Sequence, residues 1–289
     1  MAMPTYYAPD SVEQALALLR ADPAARVLAG GTDLIVQTRS GRVAPAAFVD
    51  VKRIARLTGI SRTADGGFAI GAATPCTALR VHADLVAAWP GVVEAANLIG
   101  SVQVRNRATM GGNLCNASPA ADSVPALVAA GAVAVIAGPD GERELAVADV
   151  PQGPGRTALS PGEFIVELRL PARPAGGGDA YLRATPRTEM DIAITGVGAA
   201  VVVDAAGICT AARIALGAVA PTVVLAQDAA AALVGSPIDD AALDRMAQAV
   251  RAVCRPIDDK RSTAEYRTHI AAVLARRAVA IARDRAGDA

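Results

Sequence analysis

Two glycine pairs are the features of this sequence best suited to hold a ligand through the backbone. The stretch AGGTD (29–33) follows a short apolar run, and TMGGN (109–113) lies in a segment rich in Gly, Asn, Ser and Pro. Glycine lets the chain turn sharply and brings its N–H groups close to a ligand. Either pair alone is also typical of an ordinary turn. Facing each other, the two loops would form a nest of N–H donors that suits a pyrophosphate.

The second loop continues into polar side chains at Asn116, Ser118 and Asp122. An acidic side chain does not bind phosphate directly, but it can accept a hydrogen bond from a sugar hydroxyl or polarise an adjacent amide. Asp122 is equally suited to cap a helix that starts near Pro125. The residues alone leave both roles open.

Other nucleotide-binding and catalytic motifs do not fit this sequence. GVGAAV (196–201) resembles the start of a Rossmann fingerprint, which requires a strand, a glycine turn and then a helix. The residues VVVD follow these glycines and predict that a strand continues, so we reject the motif. The chain contains no P-loop lysine motif, no nucleophile elbow and no HExxH motif.

Side chains that could catalyse a reaction or bind a metal are scarce. The two histidines, His82 and His269, lie in predicted helices, where we expect structural roles. The cysteines lack the spacing of zinc or iron–sulfur ligands, and we expect buried, reduced thiols. They are Cys76, Cys115, Cys209 and Cys254. We therefore predict no catalytic side chain and no metal site, and a protein whose bound cofactor supplies the chemistry.

Composition narrows the classes of partner. The 289 residues are 53% apolar but only 3% aromatic, and 28 basic residues balance 28 acidic ones. This neutrality gives no attraction to nucleic acid or anionic membranes, and it mildly favours a permanent protein partner. The longest apolar run (126–138) is too short to span a bilayer, and the start of the chain lacks a signal peptide. We expect a cytoplasmic protein without a transmembrane segment.

The first half of the chain predicts mixed helices and strands around the two loops. A capping box at Ser11–Gln14 opens a helix, and strands are predicted at 25–31, 48–51, 66–74 and 163–171. A helix is predicted over 77–99 with a break near Pro90, followed by an irregular segment at 100–125. The run at 126–138 fits a helix or a strand.

The second half predicts a separate unit. The stretch ARPAGGGDA (172–180) is the best candidate for a domain boundary. Strands alternate with turns beyond it, and two amphipathic helices follow at 239–254 and 262–285, the second opened by a capping box at Ser262–Glu265. The sequence therefore predicts an α+β protein with units at 1–172 and 178–289.

Taken together, the loops resemble those of a known family, the FAD-binding medium subunits of molybdenum hydroxylases. This family includes xanthine dehydrogenase, aerobic carbon monoxide dehydrogenase and hydroxybenzoyl-CoA reductase types. Four segments carry the resemblance, which runs to about residue 285, and the second is the most specific. They are VLAGGTDLI (27–35), IGSVQVRNRATMGGNLCNASPAADSVPAL (99–127), AYLRATPRTEMDIAITGVGAA (180–200) and DDKRSTAEYRTHIAAVLARRAV (258–279).

The resemblance implies a two-part FAD-binding domain of the PCMH type, followed by a smaller C-terminal domain of sheet plus helices. Both glycine loops would wrap the pyrophosphate, Ile99 and Ile165 would contact the flavin, Asp122 would lie on the FAD side of the second loop, and Arg183 would lie near the flavin carbonyl edge. The implied cofactor-binding residues are Val27, Leu28, Ala29, Gly30, Gly31, Thr32, Asp33, Leu34, Ile99, Thr109, Met110, Gly111, Gly112, Asn113, Asn116, Ser118, Asp122, Ile165 and Arg183.

Three departures from the family pattern bear on function. The carbon monoxide type has His-Ser where this chain has Thr32-Asp33, which argues against carbon monoxide as substrate. The cluster-binding insertion of the hydroxybenzoyl-CoA reductase type is missing. Arg183 stands where some members have a lysine, and this replacement alters the cation beside the flavin.

The resemblance implies an electron-transfer subunit. FAD would take electrons from [2Fe–2S] clusters in a small subunit, which receives them from a molybdopterin-binding large subunit in a heterotrimer or its dimer. The flavin would pass them to NAD⁺, oxygen or another acceptor. The substrate, oxidised in another subunit, would be an N-heterocycle, purine, aldehyde or nicotinate-like acid. Two alternatives remain: a stand-alone FAD-dependent oxidase, and a structural subunit that serves assembly.

Overall fold

Residues 3–50 form a small parallel sheet in the computed structural model, which describes residues 3–287. Its strand order is β1–β3–β2, and its elements are β1 (Thr5–Tyr7), α1 (Val12–Ala21), β2 (Arg26–Leu28), α2 (Leu34–Arg39) and β3 (Ala47–Asp50). The predicted cap of α1 is confirmed, because the Ser11 side chain accepts a hydrogen bond from the Gln14 amide at 3.2 Å. The first glycine loop joins β2 to α2.

A five-stranded antiparallel sheet lies beside it, in the order β4–β5–β10–β6–β7. The strands of this region are β4 (Ile60–Arg62), β5 (Phe68–Gly71), β6 (Val133–Gly138), β7 (Gly141–Ala146), the hairpin β8 (Pro151–Gly153) and β9 (Arg156–Thr157), and β10 (Phe164–Leu170). Short 3₁₀ helices occupy Val51–Arg53, Ala55–Leu57 and Val147–Asp149. Val49 of the first sheet and Val135 and Val166 of the second share one buried cluster, which joins the two sheets.

Six short helices fill residues 76–129. They are α3 (Cys76–Arg80), α4 (Ala83–Ala88), α5 (Pro90–Asn97), α6 (Val102–Arg105), α7 (Met110–Cys115) and α8 (Ser123–Ala129). The prediction of a helix broken only near Pro90 is wrong, because a further break falls at His82. The His82 ring nitrogen Nδ1 accepts a hydrogen bond from the Leu85 amide at 3.2 Å and so caps α4.

The prediction of an irregular segment at 100–125 is also wrong, since it contains α6, α7 and the start of α8. Ser101 and Thr109 cap α6 and α7 through their hydroxyl groups. These helices are too short to show a hydrophobic period, so capping specifies them instead. The run at 126–138 divides between the two predicted states, with α8 in its first part and β6 in its second.

The C-terminal unit is an antiparallel sheet covered on one face by helices. Its elements are β11 (Gly177–Ala184), β12 (Thr195–Val203), β13 (Cys209–Gly217), β14 (Val224–Leu225), α9 (Gln227–Ala231), α10 (Asp240–Val253) and α11 (Ala264–Gly287). The two predicted final helices are confirmed. The capping box predicted at Ser262 is misplaced by one residue, because the Thr263 hydroxyl accepts the hydrogen bond from the Tyr266 amide at 3.2 Å.

The other face of this sheet packs on α5 and α8 of the first unit. The GVG glycines lie inside β12, which confirms that they are not a Rossmann turn. A Cβ at Gly198 would overlap the backbone carbonyl of Pro125, so this glycine allows β12 to approach α8. None of the helices in residues 3–287 combines the length and apolar character required to cross a membrane.

Candidate functional site

A cleft of about 1310 Å³ runs between the two sheets and the short helices. Its volume exceeds the roughly 300–1,000 Å³ typical of small-molecule sites, so it can hold a dinucleotide. All predicted cofactor-binding residues line it except Met110, Asp122 and Arg183. Those that line it are Val27, Leu28, Ala29, Gly30, Gly31, Thr32, Asp33, Leu34, Ile99, Thr109, Gly111, Gly112, Asn113, Asn116, Ser118 and Ile165.

The structure brings the two glycine loops into contact. A Cβ at Gly30 would overlap the backbone carbonyl of Arg107, just before the second loop begins. A Cβ at Gly111 would also overlap the backbone of Ala72, whereas Gly112 is exposed and a Cβ there would meet only the Thr109 hydroxyl, at 3.0 Å. Gly30 and Gly111 therefore pack the loops against the protein, and Gly112 presents backbone to the cleft.

The helices α2 and α7 both begin at this cleft. The first amides of a helix have no carbonyl partner within it and carry partial positive charge. At α7 the Thr109 hydroxyl accepts a hydrogen bond from the Gly112 amide at 2.9 Å, while Asp33, the residue that precedes α2, makes no side-chain cap. The amides of the two helix starts can therefore serve an anionic group between them.

Asn116 fastens the two loops across the cleft wall. Its side-chain oxygen accepts a hydrogen bond from Gln37 Nε2 at 2.9 Å, and its Nδ2 donates to Asp33 Oδ1 at 3.3 Å. Protein around the Asp33 carboxyl raises its pKa above the ordinary value by desolvation, although the side chain lies at the exposed rim. Asn116 thus sets the spacing between α2 and the end of α7.

A partly buried brace behind the first loop, made by Tyr6, Asp50 and Lys52, was missed by the sequence analysis. Lys52 Nζ donates to the carbonyl oxygen of Ala29 at 2.8 Å and to both oxygens of Asp50 at 2.7 Å. The Tyr6 hydroxyl donates to Asp50 Oδ2 at 2.6 Å. Burial raises the pKa of Asp50, but the hydrogen bonds from Lys52 and Tyr6 outweigh it, so the pKa lies below its ordinary value. No local motif marks this brace, because Tyr6 and Ala29 are distant in sequence from Asp50 and Lys52.

Ile99 and Ile165 belong to the apolar lining of the cleft. Ile165 is 4% exposed and lies where β10 bulges in its pairing with β6, between Ile165 and Glu167. Bulges re-aim side chains beside ligand sites. Ile192, which the sequence analysis did not single out, also lines the cleft from the loop between β11 and β12. Its isolated position in a polar loop gives no periodic signal.

Asp122 and Arg183 lie behind the second loop and bind each other. Arg183 Nη1 and Asp122 Oδ2 are 2.7 Å apart, and the Tyr181 hydroxyl donates to Asp122 Oδ1 at 3.2 Å. Asp122 makes no side-chain cap on α8, so the capping role is wrong. Burial raises the pKa of Asp122 despite the opposing effects of Arg183 and Tyr181. The Arg183 guanidinium therefore compensates the charge of the buried Asp122 carboxylate.

Two further predictions concern Met110 and the cysteines. The Met110 side chain is buried in the core, so only its backbone belongs to the second loop. Cys76, Cys209 and Cys254 are buried, but Cys115 is exposed because it ends α7 on the cleft wall, and the expectation of burial is wrong for it. The described residues hold no cluster of three or more His, Cys, Asp or Glu placed to bind a metal.

Known proteins match the whole arrangement. Residues 2–173 match the family described as the FAD-binding domain in molybdopterin dehydrogenase, and residues 180–282 match the CO dehydrogenase flavoprotein C-terminal domain. The carbon monoxide dehydrogenase medium chain of Afipia carboxidovorans is 37% identical over 282 residues, covering 97% of both chains. The xanthine dehydrogenase FAD-binding subunit of Escherichia coli O157:H7 is 30% identical over 284 residues, covering 98% of this chain and 97% of that one.

A solved structure of reconstituted CO dehydrogenase from Oligotropha carboxidovorans superposes with a TM-score of 0.94 at 35% identity, covering 98% of this chain and 99% of that chain. Fold and cleft thus define a flavoprotein subunit of an oxidoreductase. The chain belongs to the family of FAD-binding subunits of molybdopterin dehydrogenases, and its cofactor is FAD.

Proposed function

We propose that FAD lies along the 1310 Å³ cleft with its pyrophosphate between the two glycine loops. The observation that carries this placement is that both loops line one cleft and Gly112 presents its backbone there without a side chain. Ile99 and Ile165 then contact the flavin ring, and Asn116 with Asp33 closes the wall. Met110 contributes backbone only, while Asp122 and Arg183 support the second loop from behind.

When bound, FAD accepts electrons one or two at a time and passes them on, which no side chain of this protein can do. The protein binds and orients the cofactor. The ammonium of Lys52 fixes the Ala29 carbonyl, and the amides of the loops offer hydrogen bonds to an anion. The apolar side chains at Ile99 and Ile165 exclude water from one part of the cleft.

We infer that the electrons come from another subunit. The relatives include carbon monoxide, xanthine and nicotinate dehydrogenase subunits, so similar chains serve enzymes with different substrates. This spread supports a complex with a small [2Fe–2S] subunit and a large molybdopterin subunit, where an N-heterocycle, purine or aldehyde is oxidised. The acceptor of the flavin's electrons is NAD⁺, oxygen or another oxidant. The argument from Thr32-Asp33 against carbon monoxide stays a prediction.

We place the FAD-binding unit at residues 1–172 and the C-terminal unit at 178–289, and we expect the protein in the cytoplasm. The two family matches, which meet between residues 173 and 180, support this division.

The test is to purify the chain with its partner subunits and measure flavin. We expect a flavin absorbance spectrum, one FAD released per chain on denaturation, and bleaching of that spectrum by substrate only when the partners are present. A folded complex without releasable FAD would contradict the proposal and favour a structural subunit. Substrate turnover by the isolated chain would favour the stand-alone oxidase.

A further inference from the structure

A second groove lies between the two units and shares no lining residue with the large cleft. Its volume is about 350 Å³, within the roughly 300–1,000 Å³ of small-molecule sites, which are frequent at domain interfaces. Trp89 and the segment from Pro171 to Pro174 form one wall. The exposed end of the C-terminal sheet forms the other.

Small residues on one face of the sheet create this groove. Ala200 pairs with Arg213 across β12 and β13, and Val202 pairs with Ala211, so these four side chains share a face. Gly177 of β11 pairs with Val202 and adds no side chain. The first unit covers the rest of this face through α8, but near Gly131 the face stays open.

Two arginines lie in the groove, and only one of them has its charge balanced. Arg173 Nη1 is 2.9 Å from Asp179 Oδ1, and its guanidinium lies 5.7 Å from the centroid of the Trp89 ring. Arg213, which is exposed at the groove, forms no ion pair with any carboxylate in the described part of the chain. It donates from Nε and Nη2 to the Val128 carbonyl, at 3.2 and 2.9 Å.

These two hydrogen bonds satisfy a carbonyl group at the end of α8 and use the Nε and Nη2 donors of Arg213. A guanidinium carries five N–H donors, so Nη1 remains available for a second partner. The surrounding protein lowers the pKa of Arg213 by desolvation, and an anion would restore the favourable balance of charge.

We propose that this groove binds a small carboxylic acid with an apolar body. The carboxylate binds Arg213, because a planar guanidinium matches a carboxylate in geometry and charge. The apolar body packs on Trp89, Ala200 and Ala211. The site is separate from the FAD cleft, and the proposal does not depend on where FAD lies.

Trp89 makes a direct test possible, because it is the single tryptophan of the chain and lines the groove. The full-length chain loaded with FAD is titrated with octanoate, and tryptophan fluorescence is recorded. We expect a saturable change. Octan-1-ol, which has the same alkyl length and no charge, should bind at least tenfold more weakly.

Three variants complete the test. Arg213→Met should weaken octanoate binding at least tenfold and leave octan-1-ol binding unchanged. Arg251 is an exposed arginine of α10 outside the groove, so the control variant Arg251→Met should alter the binding of neither probe. Because Arg213 also holds the end of α8, its variant is checked by circular dichroism. Ala211→Leu keeps that contact, fills the groove and should abolish binding of both probes. Equal affinity for octanoate and octan-1-ol, or full binding by Ala211→Leu, would overturn the proposal.

Discussion

Lys52 holds the first glycine loop at a single atom, the carbonyl oxygen of Ala29. It is one of two lysines in a chain that otherwise uses arginine, the other being Lys260. A compact ammonium with three donors suits this position, because it must reach Ala29 and both oxygens of Asp50 together. The direction of the carbonyl fixes the direction of the neighbouring amides, and through them the FAD-binding surface.

We therefore expect Lys52→Met to weaken FAD binding. The change leaves the Ala29 carbonyl and the Asp50 carboxylate without their cation, and hydrogen bonds to charged groups contribute about 1.5–3 kcal/mol. The dissociation constant of FAD should rise roughly tenfold or more. Calorimetric titration of FAD into the stripped complex measures it.

Lys52→Arg is the matched control, since it keeps the charge, and it should recover part of the affinity. The melting temperature of the FAD-free protein separates binding from general stability. A fall in that temperature with an unchanged FAD dissociation constant would show that Lys52 is structural only.

The two glycines of the second loop should respond differently to the same change. Gly112→Val places a side chain in the cleft and meets only Thr109 Oγ1, so FAD should be lost while the protein stays folded. Gly111→Val forces a side chain against the Ala72 backbone, so the melting temperature should fall. Flavin content and thermal unfolding of both variants test this contrast. Retention of FAD by Gly112→Val would show that the pyrophosphate lies elsewhere.

At the scale of elements, the sequence predicts the strands better than the short helices. The segments at 48–51 and 163–171 are rich in β-branched and other apolar residues, and they appear as β3 and β10. The helices α6 and α7 have at most six residues each, too few for a helical period, and their Ser101 and Thr109 caps resemble ordinary loop residues. The candidate site shows the same limit: the glycine loops are visible in the sequence, while tertiary packing alone brings Lys52 behind the first loop and Ile192 to the cleft.

Helix α8 connects the second loop to the C-terminal unit. The amide and the hydroxyl of Ser123 donate to Asn113 Oδ1 at 3.2 and 2.7 Å, while the adjacent Asp122 binds Arg183 of β11. The side chains of Asp122 and Arg183 are 11% and 5% exposed. Breaking a buried ion pair by removing one partner costs roughly 3–5 kcal/mol, so this contact matters to both units.

Arg183→Met should destabilise the protein in a pH-dependent way. Asp122 then keeps only Tyr181 as a partner, so its pKa, already raised by burial, rises further. The folded state holds the proton more tightly than the unfolded state, whose pKa is about 3.9. Stability is therefore lost as pH rises through the interval between these two pKa values. The deficit in melting temperature relative to the wild type should be larger at pH 8 than at pH 5.

Asp122→Asn combined with Arg183→Met removes both charges and should recover part of the stability at pH 8. Both variants are measured as the complete complex at matched ionic strength. A deficit that is the same at pH 5 and pH 8 would show that Asp122 does not remain as a buried charge in the single variant.

At the scale of the whole molecule, the two units share a core. Tyr181 and Ala215 of the C-terminal sheet belong to the same buried cluster as Val92 of α5 and Leu127 of α8. These residues are distant in sequence, and composition near residues 172–180 marks a boundary without showing this contact. The shared core implies that a change in the C-terminal unit can reach the FAD-binding loops through α8.

Gly198→Val tests that coupling. The added side chain would overlap the Pro125 carbonyl, so β12 and α8 must separate or shift. Overpacking of this kind costs about 1–3 kcal/mol or more. We expect a lower melting temperature. Because Ser123 begins α8 and Asp122 precedes it, we also expect weaker retention of FAD at a site to which Gly198 contributes no atom.

Ala205→Val, at an exposed turn of the same sheet, is the control and should change neither quantity. If Gly198→Val lowers the melting temperature while FAD binds with unchanged affinity, the two units are joined in stability but the C-terminal sheet does not position the flavin loop.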